Sequence, residues 1–184
     1  MGERPIPARY DAAVGAGPTV HIICGFMGAG KTTFAKALET RTGALRITKD
    51  EWLIRLIGHD PTVAGFADLN DRLCELSRDL ALQLAGRGVD VIVDEGFWAR
   101  EQRDELRRRI EAAGARAVLH YVEAPVETMR RRVLDRNDAL TADTFLISGE
   151  MFDAYLPYWQ PPGDDEGYLR AGEPERTAPA SEPG

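Results

Sequence analysis

The chain's 184 residues suit one compact domain, and a 43% share of hydrophobic residues can bury a core, which excludes a wholly disordered protein. A net charge of −7 counts against a large basic surface for long nucleic acids, although a local cationic pocket is compatible with it. No run of about 18 apolar residues spans a membrane and no secretory signal opens the chain. The two cysteines, Cys24 and Cys74, lack metal-like spacing, so the chain reads as a cytoplasmic protein with buried, reduced thiols.

Residues 1 to about 17, with two prolines and three glycines, read as a loose leader. Thr19–Cys24 is a short apolar strand, and the helical pattern of Lys31–Thr42 follows. Ala44–Thr48 is a second strand, with a short helix over Glu51–Ile57 and a loop over Pro61–Gly65. Leu69, Leu73, Leu76, Leu80 and Leu84 recur at helical spacing and predict a long helix over Phe66–Ala85. Val89–Val93 is the clearest buried strand; Arg100–Ala113 is a charged helix and Ala117–Val122 a fourth strand. Helices over Val126–Arg136 and Thr144–Tyr155 follow. Only Gly167–Arg170 offers a fifth strand, which is doubtful, and residues 171–184 read as a disordered tail rich in Pro, Glu, Ala and Gly. Apolar strands without period-two alternation, separated by helices, imply a mostly parallel sheet of four to five strands covered on both faces.

Gly25-Phe26-Met27-Gly28-Ala29-Gly30-Lys31-Thr32 fits G-x-x-x-x-G-K-[ST], between an apolar strand and a helix. The glycines let successive N–H groups turn toward phosphate oxygens, and the helix N-terminus adds donors. In that scheme the loop binds ATP, Lys31 reaches the β- and γ-phosphates, and the Thr32 hydroxyl holds Mg²⁺. Thr33 either extends this set or packs along its helix. The motif places the domain, residues 18–170, among P-loop NTPases, as a three-layer sandwich.

Acidic residues after the second and third strands suggest where the phosphate goes. Asp50 is placed to accept a proton from an attacking hydroxyl, or to cap the helix it opens. Asp94 ends a Val-Ile-Val run and is followed by Glu95; in a motor ATPase such a pair holds Mg²⁺ and activates water. Asp90, which interrupts the run, and the immediate Gly96-Phe97-Trp98 argue against that reading. Phe97 and Trp98 either wall an acceptor pocket or pack in the core. Arg132 and Arg136, four apart, share a helix face that neutralises phosphate charge or is merely solvated. Arg103 lies in a helix whose arginines read as a solvated face. His21, His59 and His120 have no metal spacing and read as structural or exposed.

The Gly25–Thr33 loop, Thr48–Glu51, Val-Ile-Val-Asp94 with Arg100 and Arg103 downstream, and the Arg132/Arg136 helix together resemble a family. It is the group of small P-loop kinases that includes polynucleotide 5′-hydroxyl kinase, zeta toxin, chloramphenicol phosphotransferase and gluconate kinase. The resemblance covers residues 19 to about 160. It implies ATP and Mg²⁺ as cofactors, Lys31, Asp50 and Arg136 as catalytic residues, and Asp94 as a metal- or substrate-side contact. It also implies a lid around residues 132–144 that closes over ATP. With Phe97 and Trp98 as a candidate wall, Arg103 among the matching pieces is expected on the substrate side. Three activities follow for comparison: a small-molecule O-kinase acting on a metabolite, sugar or antibiotic, a polynucleotide 5′-hydroxyl kinase, and a nucleotide-gated ATPase using Asp94 and Glu95.

Overall fold

The computed structural model describes residues 17–171; the expected leader (1–17) and tail (171–184) lie, but for residues 17 and 171, outside the described residues. Five strands form one all-parallel sheet: β1 (Thr19–Cys24), β2 (Leu45–Ile47), β3 (Val91–Gly96), β4 (Arg116–Tyr121) and β5 (Leu169–Arg170), in the order β2-β3-β1-β4-β5. The helices are α1 (Lys31–Thr42), α2 (Lys49–Ile57), α3 (Phe66–Ala85), α4 (Arg100–Ala112), α5 (Val126–Asp135) and α6 (Gly149–Tyr155). Among the described residues, none of these helices is long and apolar enough to cross a membrane.

Side chains on β1 alternate between two cores. Val20, Ile22 and Cys24 pack with Ala81 and Ala85 of α3 and Leu106 and Ile110 of α4. Ile23 packs on the other face with Ala35 and Leu38 of α1, Met129 and Val133 of α5, and Phe152 of α6. Both faces of the sheet are therefore covered, the condition under which parallel strands lose their polar alternation. The sheet changes direction of winding at β1, so the crevice beyond the carboxyl ends of β1 and β3 is the expected ligand site.

β1, α1 and α3 have the expected bounds. β3 starts two residues late because the Asp90 carboxylate accepts the Thr19 amide at 2.6 Å, and it runs on through Asp94 to Gly96. α6 begins only at Gly149, with the Ser148 hydroxyl accepting the Met151 amide. The preceding backbone is engaged elsewhere: Asn137 brackets Ile147 through both its carbonyl and its amide, and the Leu146 amide bonds the His59 carbonyl. β5 does form, pairing His120 with Leu169 and Tyr121 with Arg170.

His21 and His120 lie side by side on β1 and β4, both buried, with Nδ1 of one 2.9 Å from Nε2 of the other. Burial is the main reason that the pKa of His21 falls to about 4 and that of His120 to about 3, with Arg116 nearby acting in the same direction. Between pH 6.5 and those values the unfolded chain binds more protons than the folded one. Stability is thus complete above pH 6.5 and lost below it, on the order of 2 kcal/mol per ring at pH 5. Urea unfolding from pH 7.5 to 5 is expected to follow this slope. His120→Gln, which bonds but does not titrate in this range, is expected to flatten it, and an unchanged slope would assign the acid sensitivity elsewhere.

Candidate active site

The turn after β1 has the backbone that its glycines permit. Gly28 (φ 79°) and Gly30 (φ 105°) both adopt left-handed conformations, and a Cβ on Gly28 would press into the Met129 carbonyl of α5. The side chains of Phe26 and Ala29 are buried beneath the loop, and the Gly25 amide bonds the Gly96 carbonyl at 3.0 Å, tying the loop to the end of β3. Met27, Gly28, Gly30, Lys31, Thr32 and Thr33 line a cavity of about 680 Å³ at the carboxyl ends of the strands. The Lys31 ammonium donates to the Phe26 carbonyl at 3.0 Å, and desolvation lowers its pKa against the pull of Asp94 and Asp50.

The sequence-selected residues Asp50, Asp94, Phe97, Trp98, Arg132 and Arg136 line the same cavity. Asp50, in the first turn of α2, is one-third exposed and held by Lys49 at 2.6 Å. Asp94 is 3% exposed at the end of β3. Burial raises its pKa, opposed by the Lys31 and Arg46 charges and by a hydrogen bond from Thr32. A hydroxyl bonded to a carboxylate beside the loop is a donor set suited to Mg²⁺, which takes few protein ligands and completes its shell with phosphate and water. Among the described residues no cluster of three or more His, Cys, Asp or Glu forms a closed metal cage, which is compatible with such an open site.

Arg136 follows α5 at the start of a short 3₁₀ turn. Its Nε is buried with no hydrogen-bond partner among the described residues, and desolvation lowers its pKa despite the charges of Asp50 and Asp143. Arg132 reaches the Gly28 and Ala29 carbonyls at 3.4 Å. The segment from Arg136 to Ser148 is pinned over the cavity by Lys36–Asp143 at 2.6 Å and by the His59 ring, which donates to the Thr144 carbonyl at 2.8 Å.

Phe97 is buried in the core, yet it lines the cavity, and it carries φ 49°, unusual for a residue other than glycine. Trp98 packs on Phe26 (centroids 4.9 Å apart) and Tyr155 (5.8 Å).

Arg103 is placed away from the cavity, and here the structure corrects the expectation of a substrate contact. Its side chain is 1% exposed and forms a two-pronged ion pair with Glu166 at 2.6 and 2.8 Å. Its remaining donor, Nη1, bonds the carbonyls of Phe97, Trp98 and Gln160 at 2.9–3.3 Å. α4 turns this face toward the C-terminal segment, so Arg103 fixes the backbone of the aromatic wall without touching what the wall contacts.

Three residues of the cavity lining, Lys36, Lys49 and Arg78, and one behind it, Arg46, are not singled out by sequence pattern. Arg46 of β2 bonds Asp94 at 3.3 Å and Glu51 at 2.7 Å, orienting Asp94 from behind. Lys49 holds Asp50. Arg78 of α3 holds Glu95 at 3.0 Å, the other Glu95 oxygen taking the Ser77 hydroxyl. Lys36 anchors Asp143. One sequence signal was available: the chain's three lysines, Lys31, Lys36 and Lys49, all line the cavity, whereas arginines are spread throughout.

Fold and site together define a P-loop nucleotide-binding α/β domain. The chain belongs to the AAA domain family, whose model matches residues 20–162. It is 32% identical over 122 residues to a daunorubicin resistance ATP-binding protein of Streptomyces coeruleorubidus, covering 66% of this chain and 32% of that protein. The chain thus spans about a third of the length of the curated relative it matches. Among solved structures it has the fold of a chain in an RNA repair complex (18% identity, TM-score 0.63, 80% of this chain and 45% of that one). It likewise has the fold of a sugar kinase from a Janibacter species (16% identity, TM-score 0.57, 86% and 87%).

Breaking the Arg103–Glu166 pair from one side strands a buried charge, so Glu166→Ala is expected to destabilise the fold by about 3–5 kcal/mol. Urea midpoints measure this, and the double change Arg103→Met with Glu166→Leu is expected to recover much of the loss. A loss below about 1 kcal/mol, the range of an exposed pair, would mean that the contact contributes little.

Proposed function

We propose that the protein is a small-molecule kinase that transfers the γ-phosphate of ATP to an acceptor hydroxyl. The observation carrying this reading is that Asp50, one-third exposed and held by a neighbouring lysine, opens into the cavity that the phosphate loop lines. A partly exposed carboxylate there can take a proton from a bound hydroxyl. Arg136, with its unpartnered buried Nε, is the cation best placed to neutralise charge developing on the phosphoryl group.

In the proposed step the acceptor oxygen forms a bond to the γ-phosphorus, the bond from that phosphorus to the β–γ bridging oxygen breaks, and the hydroxyl proton passes to Asp50. ADP leaves with the bonding pair. Lys31 and the loop amides hold the phosphates; Thr32 and Asp94 would hold Mg²⁺, whose contribution is charge neutralisation on the β- and γ-phosphate oxygens. The segment over residues 132–144 acts as the lid that excludes water from the reaction.

Two observations favour transfer over the alternatives. Both Glu95 oxygens are already taken, by Ser77 and Arg78, which leaves that carboxylate poorly free to activate water in a hydrolytic ATPase. Polynucleotide 5′-hydroxyl kinase activity is the second reading, favoured by the fold shared with the RNA repair chain, but Lys36, Lys49 and Arg78 are each engaged by a carboxylate. The sugar kinase and the antibiotic-resistance ATP-binding protein agree in their names with nucleotide use, and the first with a small acceptor.

ADP release with Mg·ATP across hydroxyl acceptors, with water as the blank, tests the assignment. Asp50→Asn is expected to lower acceptor-dependent turnover by about 10²–10⁴-fold while a fluorescent ATP analogue still binds. Retained transfer would remove Asp50 as the base. Turnover equal to the blank with every acceptor would favour the hydrolytic reading.

A further inference from the structure

We infer that the acceptor carries its hydroxyl beside a flat apolar ring and bears no carboxylate or phosphate. This inference rests on the kinase reading and narrows its acceptor class. Two ring pairs line the cavity. Trp98 and Tyr155 lie 5.8 Å apart, and Phe66 of α3 meets Phe145 edge-on at 5.5 Å. Phe145 is fixed from both sides, because the carbonyl of Thr144 and the amide of Leu146 both bond His59. The Trp98 backbone is fixed in turn by Arg103 and by the Gln160 amide at 3.0 Å. Aromatic walls held in place by backbone hydrogen bonds suit a planar ligand, which gains stacking area at little entropic cost.

Charge narrows the class further. The cations on this side of the cavity, Lys49 and Arg78, are engaged at 2.6 Å by Asp50 and at 3.0 Å by Glu95. Asp71 adds a third carboxylate to the lining, so the acceptor side carries two cations against three anions. A carboxylated or phosphorylated acceptor would meet these carboxylates without a cation to receive it, and burying such a group unpaired is costly. A neutral or amine-bearing ligand meets no such opposition. Of the cavity cations without a carboxylate hydrogen bond, Lys31 and Arg132 bond carbonyls of the phosphate loop, and Arg136 acts electrostatically on both Lys31 and Asp50, between the loop and the proposed base, where the transferred phosphate supplies the negative charge.

The test uses the full chain with ADP and Mg²⁺ for binding, and with Mg·ATP for turnover. Phenyl β-glucoside is compared with methyl β-glucoside, gluconate, glucose 6-phosphate and a short 5′-hydroxyl oligonucleotide. Calorimetry in the presence of ADP is expected to show the phenyl compound binding about tenfold or more tighter than its methyl partner, and no binding of the anionic probes. In turnover, Trp98→Leu is expected to raise KM for the phenyl compound about tenfold with a smaller change in kcat, and Trp98→Phe to restore it. Binding of the phenyl compound without phosphate transfer would uphold the ring-bearing class while overturning the kinase reading. Equal affinity for phenyl and methyl partners, or tighter binding of gluconate, glucose 6-phosphate or the oligonucleotide, would overturn the inference itself.

Discussion

Charge placed at the buried ends of parallel strands is the constraint on which this molecule turns. Lys31, Asp94, Arg46, Lys49 and Asp50 crowd the carboxyl ends of β1, β2 and β3, where an isolated charge would be expensive. The sheet order meets that requirement by adjacency. β3 lies between β2 and β1, so Asp94 has Arg46 on one flank at 3.3 Å and the phosphate loop on the other. Lys49 and Asp50 pair within α2, while Asp94 is met by Arg46 from another strand, a contact that exists only in the folded state. Arg46 links this set onward to Glu51 of α2, so the helix carrying Asp50 is seated by the same network.

A second buried network acts at a distance from the chemistry. The guanidinium of Arg103 joins Glu166, the carbonyls of Phe97 and Trp98, and Gln160. Phe97 occupies a backbone region with a steric cost for any residue bearing a Cβ, and such conformations persist where surrounding bonds over-determine them. Arg103 and the Cys24 thiol both donate to the Phe97 carbonyl, which is over-determination of that kind. The C-terminal segment thereby shapes the aromatic wall, and the two-residue strand β5 that follows it docks beside β4. The segment is kept in place by polar contacts with α4 and by Trp159 and Tyr168, whose rings pack against Tyr121 and the core.

Much of this was legible in the sequence because it depends on local pattern. The phosphate loop is contiguous, its glycines are required by local backbone geometry, and helical periodicity bounded α3 to the residue. Asp50 and Asp94 were found because the carboxyl ends of parallel strands face one crevice, so position along the chain predicts position in space. Residues whose role depends on register or helix rotation were not legible. Arg46 lies in a three-residue strand, and only the pairing of Arg46 with Ile92 sets it beside Asp94. Arg103, expected on the substrate side, is instead turned by the rotation of α4 to Glu166, 63 positions later in the chain. Arg78 and Glu95 face each other across separate elements, a relation that no local window contains.

The distribution of the two cationic residue types fits this division of labour. Arginine's planar fork makes several directed bonds, and the arginines here tie elements together: Arg103 to Glu166, Arg78 to Glu95, Arg46 to Asp94 and Glu51. Lysine is a compact point charge on a flexible stem, able to follow a group that moves or changes charge. All three lysines line the cavity: Lys31 within the loop, Lys49 on the proposed base and Lys36 on the segment proposed to close. Lys49 orients Asp50 through a contact of 2.6 Å. In the proposed step, protonation of Asp50 would weaken that ion pair as the phosphoryl group transfers, leaving a lysine charge beside the new phosphate ester. The same pair that prepares the base would then help to stabilise the product side of the reaction, which a rigid arginine fork committed to both carboxylate oxygens would do less readily.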